Sequence, residues 1–352
     1  LKPDLEPASH LLNLFSSGPR DLPERQQSLR KMIAWSYGLL EKEEKLTLRY
    51  ASIFPASLSS QMLAKLLGKS EFEVLALVES LVDKNLLKAA FTDNETTRFF
   101  MLESIREFAW DEIRAEGELP SMKAAYVQLY QELAAKAEKG LQGKDQEKWL
   151  GILDIEYPNL NLAMEIGMSS SAGSALWRKS FWILVYLEQY WMIHAYFNEL
   201  IELAERALQA IMDIDTVDDD LTVLKACIYS TMGTAAWLKV DIENAHDYHQ
   251  KSLELFAKLG DQEKIAFSVN NIAVNADNRG EHDKALALYQ RSLALYEKQE
   301  NNWGKTRLHL NLCNHYNLVR NDTEKTVEHA QKSLEFAKEL GEPFLLSVAS
   351  FT

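Results

Sequence analysis

KSLELF, residues 251–256, returns as RSLALY at 291–296 and as KSLEFA at 332–337. The serines of the three copies, Ser252, Ser292 and Ser333, lie 40 and 41 residues apart. Seven residues before each stand Ala245, Ala285 and Thr326, and twelve before those stand Gly233, Ala273 and Asn314. A looser copy, ERAL at 205–208, places Ala207 in the same frame. Small residues at fixed intervals let two helices approach closely. A period just above forty is that of stacked helical hairpins.

From Pro120 onward the pattern is helical throughout, with breaks expected at Gly140, Gly143, Pro158, Gly173, 213–220, Gly260, Gly280, Gly304 and Gly341. The repeats resemble the tetratricopeptide repeat in a long form, closely around Ala245 and Ala285 and more weakly around Thr326. The expected fold is mainly α: a right-handed α-solenoid of tetratricopeptide-like helical hairpins over 181–352, cut short at its C-terminus. Phe344 to the end reads as the first half of a further repeat, and with Leu1 at the start the chain is expected to be a piece of a larger protein. The resemblance implies an inner groove lined by the first helix of each hairpin. Counted from Gly233, Ala273 and Asn314, it offers Ser230, Thr234 and Trp237, then Asn270, Val274, Asp277 and Asn278, then Asn311, His315 and Leu318. Paired amides at Asn270 and Asn311 suit an extended peptide backbone, or else bond within the repeats.

The front half differs. Residues 1–20 read as a linker, and Asp21-Leu22-Pro23-Glu24 opens a first helix. Further helices are expected over 43–54, 59–67 and 70–86, the last behind the capping box of Ser70 and Glu73. Leu87–Phe91 and Arg98–Leu102 are β-prone on either side of a turn with Asp93, Asn94 and Glu95. Helices, a hairpin and another helix from Glu103 are the order of a winged-helix domain over 21–116, followed by a helical connector over 117–180.

Four stretches sharpen this reading: RDLPERQQSLRKMIAWSYGLLEKEEK at 20–45, SLVDKNLL at 80–87, MLESIREFA at 101–109 and DQEKWLGILDIEYPNLNLAMEI at 145–166. In this order they resemble the winged helix and connector of bacterial STAND-class signalling NTPases, relatives of the NB-ARC proteins. The resemblance implies a nucleotide domain ahead of residue 1, with repeats that act as a sensor arm. No phosphate-binding loop lies in the chain itself: Gly143-Lys144 is followed by Asp145, and Glu138 stands where the upstream glycine is needed. ATP or ADP is thus expected for the missing domain and no cofactor for this chain. The family's nucleotide-sensing triplet falls on Met101-Leu102-Glu103, where Leu102 replaces a histidine and reads more readily as strand-end core.

Composition narrows the partners. A formal charge of −14 disfavours nucleic acid and anionic membrane. The helix at 70–86, which would enter a DNA groove, carries Glu71, Glu73, Glu79 and Asp83 against Lys84. The two cysteines, Cys227 and Cys313, are far apart and suit a reducing cytoplasm. His246 with His249 is read as a solvated helix face rather than a metal site, and the acidic run Asp213, Asp215, Asp218, Asp219, Asp220 as a loop with a helix cap rather than a calcium site. The aromatic cluster from Trp177 to Phe197 is read chiefly as core. No catalytic set emerges, so the chain is not expected to be an enzyme. The leading expectation is a regulatory arm that binds a protein, peptide or small molecule in its groove and packs on its own NTPase domain. A constitutive scaffold is the alternative, and a DNA-binding regulator a disfavoured third.

Overall fold

A computed structural model describes residues 24–91, 97–212, 214 and 218–341. The expected linker 1–20, the opening at Asp21, the turn residues Asp93, Asn94 and Glu95, Asp213 and Asp215 in the acidic run, and the half-repeat from Phe344 lie outside the described residues. Contacts divide the chain into two compact units, residues up to 132 with 156–169, and residues 133–155 with 170 onward.

The first unit opens with α1 (Glu24–Gly38), α2 (Lys42–Ala51), α3 (Ser60–Leu67) and α4 (Glu71–Asp83). Its local signals work as chemistry requires. The Ser59 hydroxyl accepts from the Met62 amide to start α3, Gly68 at φ 65° ends it, and Ser70 and Glu73 close a reciprocal capping box on α4. Strands β1 (Lys88–Phe91) and β2 (Thr97–Phe100) form an antiparallel hairpin that pairs Lys88 with Phe100 and Phe91 with Thr97. Leu58 bridges to Phe99 on the other edge of β2. Helix α5 (Glu103–Ala115) follows. Leu48, Phe54, Leu63, Val74, Val78, Leu81 and Phe99 make the core.

Helix α6 (Leu119–Leu141) and helix α7 (Gln146–Met168) run across the division between units. Pro158, expected as a break, lies inside α7. A proline costs a helix one hydrogen bond. Buried neighbours outweigh that loss: Glu156 and Asn159 are held by Arg98, Tyr130 and Ser57, and Leu160 is fully buried.

The second unit continues with α8 (Ala175–Tyr186), α9 (Glu188–Ile193), α10 (Phe197–Met212), α11 (Asp219–Leu238), α12 (Ile242–Leu259), α13 (Gln262–Asn278), α14 (His282–Tyr296), α15 (Asn302–Asn314), a π-helical turn at His315–Arg320 and α16 (Thr323–Leu340). From α11 on, each helix packs against the next in sequence, which is a solenoid of tetratricopeptide-like hairpins. The repeated residues have definite tasks. The hydroxyls of Ser252, Ser292 and Ser333, all fully buried, donate to the carbonyls of Ala226, Ala266 and Thr306 at 2.9, 2.8 and 3.1 Å. The small positions seat rings. A Cβ on Gly233 would stand 2.5 Å from the His249 ring, and one on Gly304 would stand 2.5 Å from the Tyr296 ring. Gly304, expected as a break, therefore lies in the first turn of α15, where Asn301 caps its amide at 2.7 Å. N-caps at Asp241, Asp261, Glu281, Asn301 and Asp322 repeat the start of each helix. Among the described residues no helix is long and apolar enough to cross a membrane.

Candidate ligand cavity

The second unit forms a partly open cavity of about 800 Å³. One wall is the connector, with Glu138, Lys139, Gln142 and Leu150 from residues 133–155. A second is Val185, Tyr186, Glu188, Gln189 and Met192 of α8 and α9. Helix α11 contributes Cys227, Ser230, Thr234 and Trp237, with Phe256 of α12 behind them. Lys264 and Phe267 of α13, Tyr296 of α14 and Trp303 and Arg307 of α15 close the far side. This is the size and the mixture, apolar walls with a few polar groups, that suits a small-molecule or peptide site.

The charges along these walls are unevenly satisfied. Asn301 donates to Glu263 at 2.7 Å, and Thr231 donates to Glu188 at 3.0 Å. Burial pushes the Glu138 carboxyl up from its usual value. The cations are left open. Among the described residues Arg307 makes no hydrogen bond or ion pair; its guanidinium lies 5.0 Å from the Phe267 ring centre and 4.7 Å from that of Trp303, over two rings stacked at 6.0 Å. Loss of hydration pulls its pKa below the usual value. Lys264 also lacks an ion pair among the described residues. Its surface opens on the cavity, yet protein surrounds it; the loss of hydration lowers its pKa, and the more distant Cys227, Glu188 and Glu138 overcome that effect and hold it above the usual value. The side-chain oxygen of Gln189 is buried without a partner. Cys227 is kept a thiol, since burial raises it to about 12.

The groove residues read from the sequence divide into two sets. Ser230, Thr234 and Trp237 line the cavity. Asn270 and Asn311 do not; Asn311 donates to Asn270 at 3.1 Å, and Asn270 is buried, so these amides bond within the repeats. Asp277 meets the ring nitrogens of His315 at 2.9 Å and His282 at 3.1 Å, a polar cluster of its own. Asn278 and Leu318 are exposed, and Val274 packs on the repeat core. In the first unit Met101 is buried and Glu103 reaches Arg106 at 3.8 Å. Leu102 is exposed at the start of α5, so it is not strand-end core. Sequence reasoning missed Lys264, Phe267, Trp303 and Arg307. Their spacing, three and four residues on successive first helices, was the available signal. Elsewhere, Asp218 caps α11 and pairs with Arg178 at 2.7 Å, and among the described residues no cluster of His, Cys, Asp or Glu has the makings of a metal site.

Residues 224–298 match the tetratricopeptide repeat family. The matched span holds α12, α13 and α14 with most of α11, and thus the centre of the cavity wall. Candidate HTH-type transcriptional regulators from Mycobacterium bovis and Mycobacterium tuberculosis are 29% identical over 153 residues, which is 43% of this chain and 17% of theirs. Among solved structures, a STAND protein with a tetratricopeptide repeat sensor from Pyrococcus horikoshii is similar at 19% identity and a TM-score of 0.46, over 89% of this chain and 47% of that one. Aspartyl phosphate phosphatase F from Bacillus subtilis is similar at 13% identity and a TM-score of 0.48, over 92% and 72%.

Proposed function

We propose that this chain is the non-catalytic sensor arm of a STAND-type signalling ATPase, with the cavity of the repeat unit as its receptor site. The cavity carries the reading: it draws on side chains from Glu138 to Arg307, so one occupant would tie together helices far apart in sequence. Tetratricopeptide repeats are interaction modules, and the four sequence stretches in the first half supply the STAND part of the reading, with a winged helix over 21–116. Occupancy would act by differential affinity. A ligand bound better by one arrangement of the arm shifts the parent protein toward it. ATP belongs to the domain expected upstream, and the site proposed for this chain holds a protein, peptide or small molecule.

The test compares this chain with its Thr234→Trp variant, which fills the cavity, as baits in a lysate of the host, with captured proteins and small molecules identified by mass spectrometry. A species held by the wild type and lost by the variant supports a receptor site; identical captures overturn it. ATP turnover by the longer protein, with and without that species, then separates a sensor from a constitutive scaffold, for which turnover stays unchanged. A DNA-binding role is disfavoured by the carboxylates of α4, and a salt-sensitive shift with duplex DNA would revive it.

A further inference from the structure

We infer that the cavity selects a singly charged carboxylate carried on a flat apolar body, with Arg307 and Lys264 as its anion site. The inference rests on the reading of the cavity as a receptor and names the chemistry of its occupant. Two of the three carboxylates on the walls are engaged by neutral donors, Asn301 on Glu263 and Thr231 on Glu188, while among the described residues the two cations have no anion within ion-pair distance. An arginine that stacks its face on aromatic rings keeps its N–H groups in the plane, the fork that grips a carboxylate with two bonds. Phe267 and Trp303 hold Arg307 in that manner.

The same rings, with Tyr296 and Trp237, offer the apolar surface for the body of the ligand. Glu138, Glu188 and Glu263 on the walls repel a dianion such as a phosphate monoester, so a planar monoanion fits best. The orphan oxygen of Gln189 asks for a donor, which an amide N–H supplies. A peptide C-terminus and a free aromatic acid share this chemistry.

The experiment uses the full chain and two matched pairs of probes, followed by titration calorimetry. N-acetyl-Leu-Phe-Trp as free acid and as carboxamide represents the peptide source; indole-3-propionate and its amide represent the free acid. The acid of at least one pair should bind about tenfold or more tighter than its amide. Arg307→Gln, and separately Lys264→Met, should bring the acid down to the level of the amide. The wild-type comparison stands even if a variant fails to fold. Binding of the tripeptide acid alone assigns a peptide end, and binding of indole-3-propionate alone a free acid; each supports the inference. Equal binding of acid and amide overturns it and leaves the receptor reading intact. Failure of both acids to bind at millimolar concentration also overturns it, and the capture experiment then decides the receptor reading separately.

Discussion

In the first unit the buried charges of Glu44, Arg49, Arg98 and Glu156 are closed by partners, whereas in the repeat unit Lys264 and Arg307 line the cavity with no ion pair among the described residues. Arg98 is held by Glu156 at 2.5 Å and by the hydroxyl and carbonyl of Ser57, both at 3.1 Å; Glu156 also accepts from Tyr130 and Asn159, each at 2.7 Å. Arg49 grips Glu118 with two bonds at 3.0 and 3.1 Å and donates to Tyr37 at 2.9 Å. Glu44 accepts from Ser80 and Lys84. Paired charges fix one arrangement, and unpaired ones are costly unless something else completes them. The contrast separates a unit built to hold its shape from one with room for an occupant.

The sharpest way to break that contrast is to open the Arg98 network. Arg98→Ala leaves Glu156 buried without its cation and should cost about 3–5 kcal/mol. Urea denaturation, with hydrogen exchange resolved by peptide, should show the first unit losing protection. Replacing both partners, Arg98→Met with Glu156→Leu, should return most of the loss. A single variant as stable as the wild type would mean that the pairing does not hold the unit.

Acid should separate the units in the opposite order. Among the described residues all seven histidines, from His194 to His329, belong to the repeat unit. Burial pulls His249 down to about 3 and His309 to about 4. His309 faces His329 with ring nitrogens 2.9 Å apart, amid Lys305, Glu328 and Lys332. Protons therefore bind the unfolded chain more strongly than the folded one. The stability these rings contribute is complete above pH 6.5 and drains as pH falls toward their folded values, by about 2 kcal/mol for each at pH 5. In the first unit Glu44 faces loss of hydration, which raises its pKa, but the hydrogen bonds from Lys84 and Ser80 prevail and hold it at about 2. Its contribution is intact above pH 4.5 and is lost only below. Hydrogen exchange at pH 5 should thus show the repeat unit loosened and the first unit protected. Simultaneous loss would remove this distinction. His309→Gln with His329→Gln should flatten the acid slope of the repeat unit.

Packing gives a smaller effect. Gly233→Ala drives a methyl group into the His249 ring, which is itself buried and cannot withdraw; the expected loss is about 1–3 kcal/mol, read from the thermal melt of the repeat unit. An unchanged melt would show that the ring has somewhere to go.

Legibility followed the same division. The repeat period, Ser252 with its two copies, and the capping box of Ser70 and Glu73 could be read from the sequence because each is a local or strictly periodic device. Ser230, Thr234 and Trp237 came with the period and line the cavity. Asn270 and Asn311 came with it too, but a count of positions cannot show that two amides one repeat apart satisfy each other. Arg307 was hidden for a related reason: an arginine on a helix reads as a solvated face until the neighbouring helix brings Phe267 beneath it. Pro158 reads as a stop because its cost is local, while the burial of Glu156, Asn159 and Leu160 that outweighs it comes from residues up to a hundred positions away.

One irregularity interrupts the repeats. Gly260 and Gly280 end their helices in the left-handed region, at φ 72° and 77°, and twenty residues before Gly260 the same place is held by Val240 at φ 63°. A β-branched residue there pays a steric cost of about 1–2 kcal/mol that glycine avoids, partly offset by the greater freedom glycine has in the unfolded chain. Val240 is 80% exposed, so little packing is lost by removing its side chain. Val240→Gly should therefore stabilise the repeat unit by about 0.5–1 kcal/mol, a rise of about 2 °C in Tm. The first unit should melt as before. If the variant is less stable, the exposed isopropyl group is making a contact that its surface does not reveal. If it is more stable but binds the ligand less well, the strain at Val240, three residues from Trp237 on the cavity wall, belongs to the function of the arm rather than to its fold.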